Sequence, residues 1–376
     1  MATEVIKIVD PDNGSGTNYT SLSAWEAGEQ GDLTGARDEI AVAKCRCTGG
    51  TADDGWVEIT GWTTDSTHYI KIWTDPTETY RHNGQYSATK YRIGTKVQTD
   101  LYHISIVEDF VRIEGLQFYR RTDGGQYSCV HVGSDRTQST DIRISCCIFV
   151  QAETNASYSV NAIDYTSSDH IRVFISNNVF IDFNDSSGMA IHAGNWYIGS
   201  DNTPWCIFNN TFKNCNGIVS AHDNAALAIN NIFYSCTTPC SGVFASGTGH
   251  NSTDDSSIGY TVTGGATGDR VSQTFSFVGS GDYHLAANDT GAKGYGLNLY
   301  NDANYPFQTD IDGDDRGGSG AEWDIGADEY VPLWRPVRIR ILIDTSGDLP
   351  SSDFQLEAAH RPNGGEFGPF RKVTNA

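Results

Sequence analysis

A short phrase that recurs along the middle of the chain constrains the fold more than any other feature. Each copy has branched or aromatic residues, a tight turn of small or polar residues, and a second short run that ends in phenylalanine. The terminal phenylalanines of successive copies lie 31, 31, 32 and 21 residues apart: Phe118, Phe149, Phe180, Phe212 and Phe233. A repeat of this period indicates stacked units rather than a single globular core, and the residue types indicate strands. The repeat therefore predicts an all-β solenoid whose phenylalanines stack from coil to coil.

Paired asparagines occupy the same place in three successive copies: Asn177-Asn178, Asn209-Asn210 and Asn230-Asn231. Asparagine tolerates left-handed backbone conformations, so it suits a sharp corner between two strands. Stacked side-chain amides can also donate to one neighbour and accept from the other, as in the asparagine ladders of cross-β stacks. One such pair alone is equally well explained as a surface turn. Three pairs in register predict an internal ladder.

The C-terminal part of the repeat region carries further motifs. These are Asp282-Tyr283-His284-Leu285 with Gly291-Ala292-Lys293-Gly294, then Asp310–Arg316, then Asp324–Tyr330. With the repeats, they make the chain resemble the right-handed parallel β-helix (pectate-lyase-like) superfamily, from about Asp109 to Tyr330. The resemblance implies a right-handed parallel β-helix. It implies little about function, because this scaffold carries lyases, hydrolases, adhesins and virus spikes alike.

The chain divides into three parts by composition. Residues 1–50 are predicted to form an N-terminal cap, in which a short helix over Thr20–Glu29 covers the open end of the solenoid. Ser23 and Glu26 have the spacing of a capping box at its start. Residues 51–330 are predicted to form the β-helix. Residues 331–376 contain short strand-like runs and are predicted to be a β segment that packs on the last coil or pairs with a neighbouring subunit.

Composition limits the partners and the compartment. The 376 residues carry 25 lysines and arginines against 47 acidic residues, a formal charge of −22. We therefore expect no nucleic-acid partner, because phosphate binding depends on basic side chains. No apolar run reaches the roughly 18 residues that span a bilayer, and the start lacks a secretory signal. We expect cytoplasmic synthesis followed by a virion or extracellular location. The odd number of cysteines, nine, leaves at least one thiol free, and a chain of this length does not need disulfides. Five cysteines within or just beyond the repeats are expected to be small core residues: Cys146, Cys147, Cys206, Cys215 and Cys236.

Candidate catalytic groups are few. The position two residues after the repeat phenylalanine offers one acid in five copies: Arg120, Gln151, Asp182, Asn214 and Ser235. A carboxylate pair of the kind that cleaves polysaccharide is therefore not predicted on that row. The remaining candidates are Asp182 with Asp185, and His192 with His222-Asp223, and each is equally explained as a turn former or solvated loop residue. We expect no catalytic residues and no cofactor.

Two other patterns have a functional and a structural interpretation. Asp310, Asp312 and Asp314 imitate the start of a calcium loop, but Gly313 comes one place early and no glutamate follows at the twelfth position. We therefore predict a structural turn and no metal. Four aromatic residues could stack on sugar rings if exposed or could fill the core: Trp62, Trp73, Trp196 and Tyr197.

These observations leave three classes of function. The expected one is a non-enzymatic structural or receptor-binding component of a virus particle, most plausibly a tailed phage. The runs Ile8–Gly14 and Thr20–Glu26 also resemble the starts of phage-encoded β-helix proteins. The expected partners are other virion subunits, further copies of this chain in a homo-oligomer, and a surface glycan. The alternatives are a carbohydrate-active enzyme, including a tailspike depolymerase, and a bacterial surface adhesin.

Overall fold

A computed structural model describes residues 2–77, 79–94, 102–120, 127–133, 141–152, 160–165, 172–185, 188–194, 204–262, 264–302, 305–331, 357–358 and 371–372. Residues Met1–Tyr330 form one compact unit and Val331–Ala376 a second. One helix, α1, covers Leu22–Glu29. The strands of the larger unit are, in chain order, β1 Thr3–Val9, β2 Glu39–Cys45, β3 Val57–Ile59, β4 Ile70–Thr74, β5 Arg92–Ile93, β6 Tyr102–Ile106, β7 Val111–Glu114, β8 Gln117–Arg120, β9 Tyr127–Val132, β10 Ile142–Ser145, β11 Ile148–Gln151, β12 Val160–Tyr165, β13 Val173–Ser176, β14 Val179–Ile181, β15 Ile191–Ala193, β16 Trp205–Phe208, β17 Thr211–Lys213, β18 Asn216–Ser220, β19 Ala226–Ile229, β20 Ile232–Tyr234, β21 Thr238–Phe244, β22 Ser252–Thr253, β23 Thr261–Val262, β24 Phe277–Gly279 and β25 Asp282–Leu285.

Three parallel sheets form the walls of a β-helix, and each coil from β4 to β21 gives one strand to each sheet. The first sheet has the order β1-β2-β4-β7-β10-β13-β16-β19, and the second has β5-β8-β11-β14-β17-β20-β22. The third sheet has the order β3-β6-β9-β12-β15-β18-β21-β23. Corresponding residues of successive repeats face each other, as Phe149 faces Phe118 and Phe180. The predicted all-β parallel β-helix is therefore confirmed.

The helix α1 begins at a different cap from the predicted one. Ser21 is the N-cap, and its side chain accepts a hydrogen bond from the Ala24 amide at 3.1 Å. The predicted Ser23–Glu26 capping box is wrong, because Ser23 already lies in the first turn. The Glu26 carboxylate instead accepts hydrogen bonds from the Thr60 amide and the Trp62 indole at 3.2 and 3.1 Å. Glu26 thereby ties the helix to the coil beneath it.

The first sheet already begins within the range assigned to the cap. Strand β1 pairs along its full length with β2, from Thr3 opposite Glu39 to Val9 opposite Cys45. In the second unit, the described residues include one antiparallel pair, β26 Glu357–Ala358 with β27 Arg371–Lys372. The rest of the predicted C-terminal segment, from 332 to 356, 359 to 370 and 373 to 376, lies outside the described residues.

Candidate functional site

The two asparagines of each repeat have different roles at the corner between the first and second sheets. Asn177, Asn209 and Asn230 are in the left-handed region, with φ of 56°, 51° and 59°. The second asparagine of each pair, such as Asn178, points into the interior and is 0% exposed. The first member therefore turns the chain, and the second forms the ladder.

The ladder runs through Asn178, Asn210, Asn231 and Asn251. In the first step, Oδ1 of Asn210 accepts from both the backbone and the side-chain amide of Asn178, each at 3.0 Å. The next two steps repeat this geometry at 3.0 and 2.9 Å. The ladder ends where the Asn251 amide donates to Asp269 at 3.0 Å. Sequence analysis missed Asn251, because it lies beyond the last recognisable copy of the repeat.

The repeat phenylalanines form one continuous stack inside the solenoid. Ring centroids from Phe118 through Phe149, Phe180 and Phe212 to Phe233 are separated by 4.6, 4.9, 4.8 and 4.9 Å. Interplanar angles of at most 13° make the rings nearly parallel. The nine cysteines are all free and buried. Neither the stack nor the ladder presents a reactive group to solvent, so both belong to the scaffold.

The asparagines at the corners also hydrogen-bond to the segment that follows the last coil, which we call the closing segment (residues 297–330). Asn177 donates to the Thr309 carbonyl at 2.8 Å, and Asn230 donates to the Leu297 carbonyl at 2.8 Å. The fully buried Arg316 donates to Oδ1 of Asn177 at 3.1 Å and pairs with Glu329 at 3.1 Å. The buried Arg316 guanidinium therefore joins the motifs Asp310–Arg316 and Asp324–Tyr330 to the corner of the β-helix at Asn177.

The calcium-like motif is arranged as a turn. The Asp310 carboxylate accepts hydrogen bonds from the amides of Asp312, Asp314 and Glu329 at 2.9, 2.8 and 3.0 Å. Burial raises the pKa of Asp310 to about 6, although the nearby Arg316 guanidinium opposes that shift. Both oxygens of Asp310 therefore hold the backbone of the turn and of Glu329 in place.

The predicted catalytic candidates are not brought together as pairs. Asp182 occupies a second left-handed corner, with φ of 66°, and accepts a hydrogen bond from Asn214 at 2.7 Å. Asp185 is buried and hydrogen-bonded to Gln151. His192 does not pair with His222-Asp223; its Nδ1 lies 2.9 Å from Oδ1 of Asp164.

His192 belongs to a row of outward-facing polar residues on the third sheet, which we call the polar column: Glu58, Ser105, His131, Asp164 and His192. His131, Asp164 and His192 share a local pattern, a polar residue between two apolar or aromatic ones, in Val130-His131-Val132, Ile163-Asp164-Tyr165 and Ile191-His192-Ala193. This alternation is the signal that could have identified the column from the sequence.

Asp164 is the centre of the polar column. Its carboxylate accepts hydrogen bonds from the Tyr165 amide at 2.7 Å and the Ser128 hydroxyl at 3.3 Å, besides the contact with His192. Burial acts to raise the pKa of Asp164, but the His192 hydrogen bond and charge outweigh it and lower the pKa. Asp164 is therefore an ionised acceptor at neutral pH.

Aromatic rings lie beside the histidines of the polar column. Tyr102 stacks on His131, with centroids 4.0 Å apart and planes 12° from parallel. Tyr165 meets His192 edge-on at 5.3 Å. Burial lowers the pKa of His131, so its imidazole is neutral at physiological pH and can both donate and accept a hydrogen bond. In the column, Asp164 and His192 are partly exposed, whereas His131 is buried beneath Tyr102.

The aromatic residues proposed for sugar stacking have different surroundings. Trp62 is buried against Trp25, with ring centroids 5.6 Å apart, so of the two alternatives for this residue the structure shows the core one. It fills the space between the cap helix and the first coil. Trp73 lies between Lys44 and Lys71. Trp196 and Tyr197 fall outside the described residues.

Comparison with known proteins gives no relative. No family model, no curated protein and no solved structure matches the chain. Within the described residues, no helix is long and apolar enough to cross a membrane.

Proposed function

We propose that this chain is a non-enzymatic structural and receptor-binding component of a virus particle, and that it binds a surface glycan through the polar column. The viral setting is supported by the resemblance of the runs Ile8–Gly14 and Thr20–Glu26 to the starts of phage-encoded β-helix proteins. The glycan partner is supported by one structural observation: ionised Asp164 lies between His131 and His192 on the outer face of a rigid sheet.

These groups suit sugar hydroxyls. A carboxylate accepts hydrogen bonds from hydroxyl groups, and a neutral imidazole can both donate and accept them. An aromatic face can cover the apolar side of a sugar ring. The side chains lie on neighbouring strands, about 4.8 Å apart. Sites carried by strands are held more precisely than sites on loops. The side chains of Asp164 and His192 are 19% and 31% exposed, which leaves them accessible to a ligand.

The column is better suited to binding than to hydrolysis. A glycoside hydrolase needs two carboxyl groups about 5–9.5 Å apart. In the part of the column that the structure describes, the second carboxylate is Glu58, three strands from Asp164, or about 14 Å at the usual strand spacing. Asp164, between two imidazoles, can position a sugar. Asp164 and Glu58 are too far apart to act as the acid and base of a glycoside hydrolase.

A glycan array probed with the full-length protein tests this function. Asp164→Ala and His192→Ala are expected to reduce binding at least tenfold, because each removes a charged or polar contact. Asp65→Ala and His68→Ala are matched controls, since this second Asp–His pair is also joined at 2.9 Å but lies outside the polar column. Equal loss in the controls, or no binding by the parent, would refute the glycan site. Release of oligosaccharides from a bound polysaccharide would refute the non-enzymatic assignment.

Assembly with further copies or other virion subunits is a separate part of the proposal. Electron microscopy of the full chain, beside a variant lacking residues 331–376, tests whether that segment mediates assembly. Multimers that disappear on truncation support it. Monomers in both samples refute it while leaving the glycan assay unaffected.

A further inference from the structure

A second group of polar side chains lies away from the polar column, where the closing segment packs on β25. His284, Asp312 and Asp328 each direct one potential metal-ligating atom to a common point, and the three atoms lie within 4.8 Å of one another. Nε2 of His284 is 2.7 Å from Oδ2 of Asp312. Oδ2 of Asp328 accepts a hydrogen bond from the Leu285 amide at 2.6 Å. The residues come from three separate stretches of chain, so the fold itself creates the cluster.

The cluster surrounds a single imidazole with three carboxyl groups. Asp282 contacts Nδ1 of His284, Asp312 contacts Nε2, and Asp328 brings a third ligating atom within 4.8 Å of those of His284 and Asp312.

Asp312 has an acceptor atom without a donor. Its Oδ1 is inaccessible to solvent and has no hydrogen-bond partner among the described residues. Next to it, Gly84 has φ of +79°, and a Cβ at that position would collide with Nε2 of His284 and lie 3.1 Å from this oxygen. Glycine therefore lets the backbone approach the donor atoms closely. An unpaired buried carboxylate oxygen is costly unless a cation or a proton satisfies it.

His68 also contacts two carboxylates, but no third ligating group of the described residues lies beside it. His68 contacts Asp65 and Asp38 through its two ring nitrogens, at 2.9 Å each. Those carboxylates are 46% and 70% exposed, so water balances their charge. Among the described residues, a third ligating group is present only at His284. The group around His284 therefore differs from that around His68 in having a third carboxylate and in being more buried.

We propose that His284, Asp312 and Asp328 form a binding site for a divalent transition-metal cation, with Asp282 as the residue that orients the histidine. One imidazole nitrogen with carboxylate oxygens is a ligand set for ions of the Mn²⁺ and Zn²⁺ class rather than for an all-oxygen calcium site. A carboxylate on the second ring nitrogen of a metal-bound histidine is the usual supporting contact.

Titration of the chelator-treated full-length protein with Mn²⁺, followed by electron paramagnetic resonance, tests this site. One bound ion per chain is expected. Asp312→Asn and Asp328→Asn should abolish binding, and Asp282→Asn should weaken it about 10–100-fold. Asp65→Asn and His192→Ala are the matched controls and should bind like the parent. No bound Mn²⁺ in the parent, or binding that persists in both ligand variants, overturns the proposal.

Two further readouts keep the test independent of variant folding. In the unmodified protein, pulsed resonance should show coupling of bound Mn²⁺ to one imidazole nitrogen, and its absence overturns the role of His284. Saturating Mn²⁺ should also raise the thermal midpoint by about 5 °C at a hundredfold excess over the dissociation constant. A rise with Ca²⁺ but not with Mn²⁺ or Zn²⁺ refutes the ligand assignment. Glycan binding is measured separately, so failure here does not affect the proposed function.

Discussion

Replacing Asn210 by alanine removes one rung of the asparagine ladder. Its Oδ1 accepts two hydrogen bonds from Asn178, and its Nδ2 donates to the carbonyls of Ile175 and Phe208, all at 3.0 Å. Without it, the Asn178 backbone amide has no acceptor at a fully buried position. An orphaned buried donor costs about 1–3 kcal/mol, and each other lost bond about 1 kcal/mol. We expect a total loss of about 4–6 kcal/mol from a stability that is typically about 5–15 kcal/mol.

Urea unfolding followed by circular dichroism measures this loss. Asn288→Ala is the control, because Asn288 is exposed and makes one contact of 3.5 Å, so its loss should stay below about 0.5 kcal/mol. Asn210→Asp keeps the acceptor oxygen but removes the donor and buries a carboxylate. It should therefore be less stable at pH 7 than at pH 4–5, where protonation restores a donor. A loss below about 1 kcal/mol for Asn210→Ala would refute the argument that the ladder stabilises the fold.

Three further predictions concern other parts of the scaffold. Phe180→Ala opens a gap in the phenylalanine stack and should lower the free energy of unfolding, measured in urea, by about 3–5 kcal/mol. Val278→Ala is the control and should change it little, because Val278 is exposed. Equal effects would contradict a stabilising role of the stack. Burial lowers the pKa of His103 well below its usual value, so the unfolded chain binds more protons and stability falls as pH drops below about 6.5, by up to about 1.4 kcal/mol per pH unit. His103→Leu should remove that part of the acid dependence, and an unchanged pH profile would contradict it. Arg316→Met should cost about 3–5 kcal/mol because it strands the buried Glu329 carboxylate. Adding Glu329→Leu should recover only the part due to that charge, because Arg316 also donates to Asn177; no recovery would contradict the pairing.

The parts of the fold that were predictable are those that repeat at a nearly constant spacing. From the corner asparagine to the repeat phenylalanine the distance in sequence is three residues in each case, as from Asn177 to Phe180 and from Asn209 to Phe212. This segment crosses a tight corner that cannot lengthen without breaking the ladder. Stacking also favours the same residue type in each coil, since amides pair with amides and rings with rings. The interior columns are therefore visible in the sequence.

The polar column was not visible, because the connection that precedes it varies in length. From the repeat phenylalanine to the column residue there are 13 residues in the His131 coil, 15 in the Asp164 coil and 12 in the His192 coil. A search at constant offset therefore misses the row. The cluster at His284 was hidden for a different reason: Asp312 and Asp328 follow it by 28 and 44 residues in a segment without repeats. Only the path of the chain brings these groups together.

The interior and exterior columns of this solenoid are under different physical constraints. Inside, Asn210 is fixed by partners above and below it, so a change in one coil disturbs two neighbours. On the outer side of the sheet, adjacent positions carry residues as different as Ser105, His131 and Asp164, because neighbouring side chains there need not be alike to pair, as Asp164 and His192 show. Substitution of Asp164 should therefore cost far less stability than substitution of Asn210 while abolishing glycan binding. Such a scaffold can change what it binds one coil at a time without losing its fold.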